Sequence, residues 1–199
     1  ARIRVIAGAA STGVRPTADG QASSRGLGLP ERYIAVAGAA LDLAAVFQAV
    51  AGLDIDVVVL GDGSDDPARI SALAIDKGIS VDRVRSPHLP AASDRASVLT
   101  NAVAVVAPSG ASVFPWRALE ALAVGAPLVA ARTAQNEEIF ADGAFFVDVA
   151  DSEALGDAVR RVISDEVLTA RLKVLSADRA RAFSWRDAAE RVWQLHAEL

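Results

Sequence analysis

The chain has 199 residues, 52% of them hydrophobic and 23% charged, with a formal net charge of −5. This composition can bury a sizeable core, which excludes disorder for most of the chain, and the acidic balance disfavours a nucleic-acid-binding protein. The absence of cysteine and the presence of two histidines exclude disulfides, thiol catalysis and metal sites rich in Cys or His.

The first 30 residues differ from the rest of the chain. The opening ARIRVIAG is too short and too polar for a signal peptide or a membrane span. Residues 8–30 are rich in Gly, Ser, Ala and Pro, so we expect residues 1–30 to form an N-terminal strand and a partly flexible linker. Because methionine is absent even at position 1, we expect a processed chain or an excised domain.

From residue 32 onward, short apolar runs alternate with segments of helical spacing. In LDLAAVFQAVAG at 41–52, four apolar residues recur on one helical face. These four are Leu43, Val46, Phe47 and Val50. The predicted strands are 32–38, 54–60, 79–84, 102–107, 127–131 and 144–149. The predicted helices are 41–52, a segment that ends at Gly78, 91–101, 115–124, 135–140, 152–163, 166–182 and 185–198.

These runs predict the fold class. Apolar runs with little alternation are typical of strands buried on both faces, and helices between strands indicate right-handed crossovers and a parallel sheet. We therefore expect an α/β domain over residues 31–199, a Rossmann-like doubly wound parallel sheet of about six strands. Helices would cover both faces, and extra helices would follow at the carboxyl terminus. Ligands of such sheets bind at the carboxyl ends of the strands, near the point where the strand order reverses.

Two strand-end loops carry residues of interest. LGDGS ends the second predicted strand, and its glycines allow either close approach to a ligand or a plain tight turn. The fourth predicted strand is followed by PSGASVFP and then by a helix that begins near Pro115. The free N–H groups at such a helix start favour anions.

The helix after Pro115 carries one carboxylate in its first half, that of Glu120. Helical spacing predicts a core stripe on this helix, which leaves Arg117 and Glu120 on other faces. The residues alone therefore predict that Glu120 is a solvated carboxylate. The predicted stripe consists of Trp116, Leu119, Leu122 and Ala123.

A set of motifs in fixed order resembles the carboxy-terminal half of retaining GT-B glycosyltransferases of the group 1 type. The central block is PSG followed by ALEALAVGAPLVA, with GDG before it and FSW after it. The matching residues are Pro108, Ser109, Phe114, Leu119, Glu120, Ala121, Gly125, Pro127, Val129 and Ala130, with Gly61, Asp62, Gly63, Phe183, Ser184 and Trp185. The resemblance spans roughly residues 30–199.

The resemblance implies a nucleotide-sugar-binding domain that belongs to a hexosyltransferase. Such enzymes move a sugar from a nucleoside diphosphate sugar to a hydroxyl acceptor with retention, and they need no bound metal or other cofactor. An N-terminal acceptor domain of the same parent chain would complete the cleft, so the isolated domain would be inactive. We expect a cytoplasmic protein without a nucleic-acid partner, and the sequence does not indicate membrane association.

The resemblance also assigns donor-binding roles. Glu120 occupies the place of the glutamate that accepts hydrogen bonds from ribose hydroxyls, a role that suits a carboxylate. The amides of Val113 and Phe114 would face the diphosphate, and Ser112 occupies the place of a sugar-contacting glutamate. The remaining candidates are Gly61, Asp62 and Gly63 near the nucleotide, His88 near the base, Glu138 in the short helix, and Arg117 as a cation.

The chain departs from the family pattern in ways that leave two readings open. Ser112 carries no charge where the family's Glu-x7-Glu pair begins, and Pro115 offers no N–H to a phosphate. The family's Arg and Lys after the first strand are missing, since no basic residue occurs between Gly38 and Arg69. Either other cations rebuild the donor site, or the domain is a catalytically degenerate binding or assembly module. The candidate cations, which are equally readable as surface charges, are Arg85, His88, Arg117 and Arg132.

Overall fold

The structure is a computed structural model that describes residues 5–16, 26–38, 42–61, 66–89, 91–109 and 114–197. Four of the predicted site residues, Asp62, Gly63, Ser112 and Val113, lie outside the described residues. Among the described residues, no helix combines the length and the apolar composition that spanning a membrane requires.

The core of the domain is one parallel sheet of six strands. The spatial order is β3-β2-β1-β4-β5-β6, and each neighbouring pair is parallel. The order reverses between β1 and β4, which confirms the predicted doubly wound sheet and fixes its switch point. The strands are β1 (Tyr33–Val36), β2 (Asp56–Val59), β3 (Val84–Arg85), β4 (Ala104–Ala107), β5 (Leu128–Ala131) and β6 (Ala144–Val147).

Helices cover both faces of this sheet. Alternate residues of each strand face opposite sides, so Tyr33 and Ala35 pack on one side while Ile34 and Val36 pack on the other. Helices α3, α4 and α5 share the first side, and α1, α2 and α6 share the second. The helices are α1 (Leu43–Val50), α2 (Pro67–Asp76), α3 (Ala92–Asn101), α4 (Trp116–Ala123), α5 (Ala134–Phe140), α6 (Ser152–Ser164), α7 (Glu166–Ala180) and α8 (Trp185–Ala197).

Local sequence signals explain several element bounds. The four apolar residues predicted on one face of α1 are all fully buried. Asp66 caps α2, accepting a hydrogen bond from the amide of Ala68, and Pro67 follows at the first helical position. Gly125 follows α4 with φ +68°, a conformation that glycine adopts without strain, which confirms the predicted stop.

The third strand is shorter than predicted. Residues 79–84 read as a strand, but Val81–Arg83 form a 3-10 turn and only Val84–Arg85 pair with β2. The turn lets the Arg83 guanidinium donate to the carbonyl oxygens of Leu53 and Ile55, at the entry to β2. No local pattern predicts this pairing, because Leu53 and Ile55 lie 30 and 28 residues before Arg83.

The described part of the N-terminal segment packs on the domain. Residues 5–16 contain no helix or strand, yet Ala9 and Val14 are buried. The Trp185 indole Nε1 donates a hydrogen bond to the Ala10 carbonyl at 2.8 Å, which ties the start of α8 to this segment. The domain boundary near residue 30 stays a prediction.

Candidate functional site

The carboxyl edge of the sheet carries a polar network at the switch point. The Ser109 hydroxyl, which follows β4, donates to the Asp42 carboxylate at 2.6 Å, at the start of α1. The Asn136 amide on α5 donates to the carbonyl oxygens of Ser109 at 3.2 Å and Ala131 at 2.9 Å. The loops after β4 and β5 are therefore joined to the helix after β1. The acidic side chain of Asp42 therefore lies after β1, in the region where the family has an Arg and a Lys.

Glu120 on α4 is buried, so the prediction of a solvated carboxylate is wrong. The residue is 4% exposed, and its neighbours Ala118, Leu119, Ala121 and Leu122 are buried with it. The predicted core stripe fails at Trp116, which is 43% exposed. The physical reason is that α4 is enclosed by the sheet, by α3 and by α7, so that it buries most of its circumference rather than one stripe.

Two arginines neutralise the buried carboxylate. Arg95 on α3 makes a fork, with Nε 3.2 Å from Glu120 Oε2 and Nη2 3.0 Å from Oε1. Arg117 adds one bond, from its Nη1 to Oε2 at 3.0 Å. The two guanidinium cations exceed the one carboxylate by a single formal charge. Such charge-assisted hydrogen bonds compensate a buried carboxylate for its lost contacts with water.

Arg95 and Asp42 are the site residues that sequence reasoning missed. Arg95 stands one turn into α3, 25 residues before its partner, and belongs to no motif. The available signal is weak, because a single arginine within ASDRASVLTN reads equally well as a surface charge. Asp42 carries a conventional helix-start signal, which does not reveal its hydrogen bond to Ser109.

The other predicted cations are also engaged or exposed. Arg132 pairs with Glu137 at 2.8 Å on the surface, and Arg85 donates to the Asp82 carbonyl at 2.7 Å. His88 is exposed. Arg117, bound to Glu120, is therefore the predicted cation that the structure brings into the buried part of the site.

The remaining predicted residues lie around this centre. Gly61 follows β2 and is partly buried, and Glu138 is exposed on α5. The Phe114 ring lies 4.5 Å from the ring of Trp116, which in turn stacks on Trp185 at 5.9 Å. None of the contacts seen within the described ranges joins Gly61, His88 or Glu138 to Glu120. Among the described candidates, the contacts therefore join Arg117 to Glu120 and Phe114 to Trp116 at the start of α4.

Relatives match most of the described domain. Two proteins named D-inositol 3-phosphate glycosyltransferase are similar to it, from Corynebacterium urealyticum (30% identical) and from Corynebacterium jeikeium (33% identical). Each match covers 70% of this chain and 33% of the relative. The chain thus spans about a third of the length of the curated relatives it matches.

Solved structures share the fold at low sequence identity. Sucrose-phosphate synthase from Thermosynechococcus elongatus superposes with a TM-score of 0.82 at 22% identity, over 98% of this chain and 52% of that chain. HepE from Anabaena, in complex with UDP and glucose, gives 0.80 at 15% identity, over 98% and 57%. The C-terminal domain of a group 1 family protein from Francisella tularensis superposes with a TM-score of 0.72 at 18% identity, over 88% of this chain and 97% of that chain.

The family model described as "Glycosyl transferases group 1" matches residues 38–178, from the end of β1 into α7. This range includes the switch point, the Ser109 network and the Glu120 cluster. It covers more than half of the chain. The chain belongs to the family of group 1 glycosyl transferases.

Proposed function

We propose that this chain is the donor-binding domain of a retaining hexosyltransferase that moves a sugar from a nucleoside diphosphate sugar to a hydroxyl acceptor. The observation that carries the proposal is the position of Glu120, one turn into the helix that follows β4 beside the switch point. Ligands of doubly wound sheets bind at this place. The UDP in the HepE structure supports the nucleotide part of the proposal.

The Glu120 carboxylate retains the capacity to accept a ribose hydroxyl. A carboxylate offers about four acceptor positions, and the two arginines occupy three of them. The free position lies on Oε1, which accepts one bond, from Arg95. Arg117 holds Oε2 by one bond, and its side chain is 30% exposed, so it is the partner that a ligand can displace.

The start of α4 suits the diphosphate. The first amides of a helix lack partners inside the helix and favour anions. At the start of α4 the Trp116 amide already donates to the Phe114 carbonyl at 2.9 Å, so the following amides of the first turn are the ones that suit an anion. The Arg117 guanidinium, which is 30% exposed and held by one bond, adds attraction to a phosphate in this region. The proposal includes no bound metal or cofactor, because these groups supply both the hydroxyl acceptor and the positive charge.

An N-terminal domain of the same parent chain would carry the acceptor. The curated relatives are longer than this chain, which matches 33% of their length, and this supports that part of the proposal. The domain alone would then bind donor without transferring sugar. We place the parent enzyme in the cytoplasm.

A calorimetric titration of the chain with UDP, GDP, ADP and UDP-glucose tests the proposal. We expect saturable binding that selects one base. Glu120→Gln should weaken this binding about tenfold or more, since a hydrogen bond to a charged group contributes about 1.5–3 kcal/mol. Glu190→Gln is the matched control, because Glu190 is exposed on α8 and pairs with Arg186 one turn earlier.

A second candidate function is a catalytically degenerate module used for binding or assembly. The specific observation in its favour is that both oxygens of Glu120 accept bonds from arginines within the domain itself. If a sample that melts cooperatively binds none of the four nucleotides, the result would favour this module. Base-selective binding that survives Glu120→Gln unchanged would instead assign the nucleotide to a different part of the edge.

A further inference from the structure

Arg95 differs from Arg117 in how it holds the buried carboxylate. Arg95 binds both oxygens of Glu120 in a planar fork, and its side chain is 14% exposed. Arg117 binds one oxygen and is 30% exposed. A fork fixes the orientation of the carboxylate plane as well as its position, which a single bond does not do.

Arg95 also reaches a second part of the carboxyl edge. Its Nη1 lies 3.4 Å from the carbonyl oxygen of Leu89, in the loop between β3 and α3. One guanidinium thus contacts the helix after β4 and the loop after β3, which come from opposite halves of the sheet. This partly buried side chain holds these two parts of the edge in one arrangement.

We propose that Arg95 is the positioning residue of the donor site, fixing the Glu120 carboxylate so that its Oε1 is presented to a ribose hydroxyl. The proposal rests on the proposed function and adds a residue to it. Arg95 acts through Glu120 and does not touch the ligand, since its Nε and Nη2 are directed at the carboxylate. Without the fork, Glu120 would keep one bond, from Arg117 on the same helix to Oε2.

The test compares two ligands that differ only in the ribose hydroxyls. The chain is titrated with UDP and with 2′,3′-dideoxy-UDP, or with the corresponding pair for the base that the panel selects. The variant Arg95→Lys keeps the positive charge but replaces the fork by a point charge. The control Arg186→Lys changes an exposed arginine on α8 in the same way.

We expect the wild-type chain and Arg186→Lys to prefer UDP over the dideoxy ligand by about tenfold or more. Arg95→Lys should lose most of this preference, while its affinity for the dideoxy ligand stays within about twofold. This pattern is specific to positioning, because a general loss of stability would weaken both ligands together.

Four results would overturn the proposal. Equal weakening of both ligands, or an unchanged preference, removes the positioning role and leaves the donor-site proposal standing. If Arg95→Lys does not melt cooperatively, Arg95→Gln is titrated in its place, and failure of both variants to fold assigns Arg95 a structural role. A wild-type chain that binds no nucleotide contradicts the donor site itself, and the role of Arg95 falls with it.

Discussion

Replacing Glu120 with Gln tests the energy that the buried cluster contributes to the fold. The substitution keeps the side-chain volume but removes the negative charge between two guanidinium groups, and one amide N–H would then face an arginine donor. Glu120 is 5% and Arg95 14% exposed at their side chains, so water cannot replace the lost partner. Breaking a buried ion pair on one side costs about 3–5 kcal/mol. Because Gln keeps one acceptor, we expect the lower end, about 3 kcal/mol.

For a chain of 199 residues, this loss corresponds to a decrease of Tm by about 6–12 °C. Urea unfolding followed by tryptophan fluorescence measures the free energy directly, since Trp116 and Trp185 stack near the start of α4. Glu190→Gln is again the control, because its pair with Arg186 is exposed and contributes about 0.5 kcal/mol or less. If Glu120→Gln and Glu190→Gln lowered the free energy of unfolding by the same small amount, the reasoning that the cluster stabilises the fold would be refuted.

Two further predictions concern packing, and the same urea titration checks both. A Cβ on Gly156 would lie 2.6 Å from the Ala49 carbonyl oxygen, so Gly156→Ala should lower the free energy of unfolding by about 1–2 kcal/mol despite its gain in helix propensity. The control Gly52→Ala has open space around the new Cβ and should be neutral or slightly stabilised. Equal stability of both variants would contradict the close approach of α1 and α6. Tyr33→Phe should lose about 1–2 kcal/mol, because the buried Tyr33 hydroxyl donates to the Val98 carbonyl at 2.7 Å, and a loss below about 0.5 kcal/mol would show that this bond contributes little.

The order of strands and helices could be predicted because each element carries its own signal. The strand at Ala104–Ala107 is apolar at every position, as burial on both faces requires, and α1 shows its buried face in its spacing. The third strand could not be predicted at its true length. Its end is set by Arg83, whose partners lie about 30 residues earlier in the chain.

The candidate site could be predicted in its position along the chain but not in its contacts. The motif around Glu120 placed that residue on the helix after β4, where the structure has it. Its burial depends on α3 and α7 closing over α4, which is a property of the assembled layers. Arg95 lies 25 residues away on another helix, so its pairing with Glu120 follows from the packing of α3 against α4 rather than from any local pattern.

The placement of charge around the switch point favours one side of the carboxyl edge for a phosphate. At the end of β1, Asp42 accepts the Ser109 hydroxyl, and no basic residue occurs between Gly38 and Arg69. Negative charge there opposes a phosphate on the β1 side of the edge. Arg95 and Arg117, which bind Glu120, lie on the α4 side. In the proposed donor complex, the diphosphate would therefore approach the start of α4, and neutralisation would come from Arg117, which holds Glu120 by one bond.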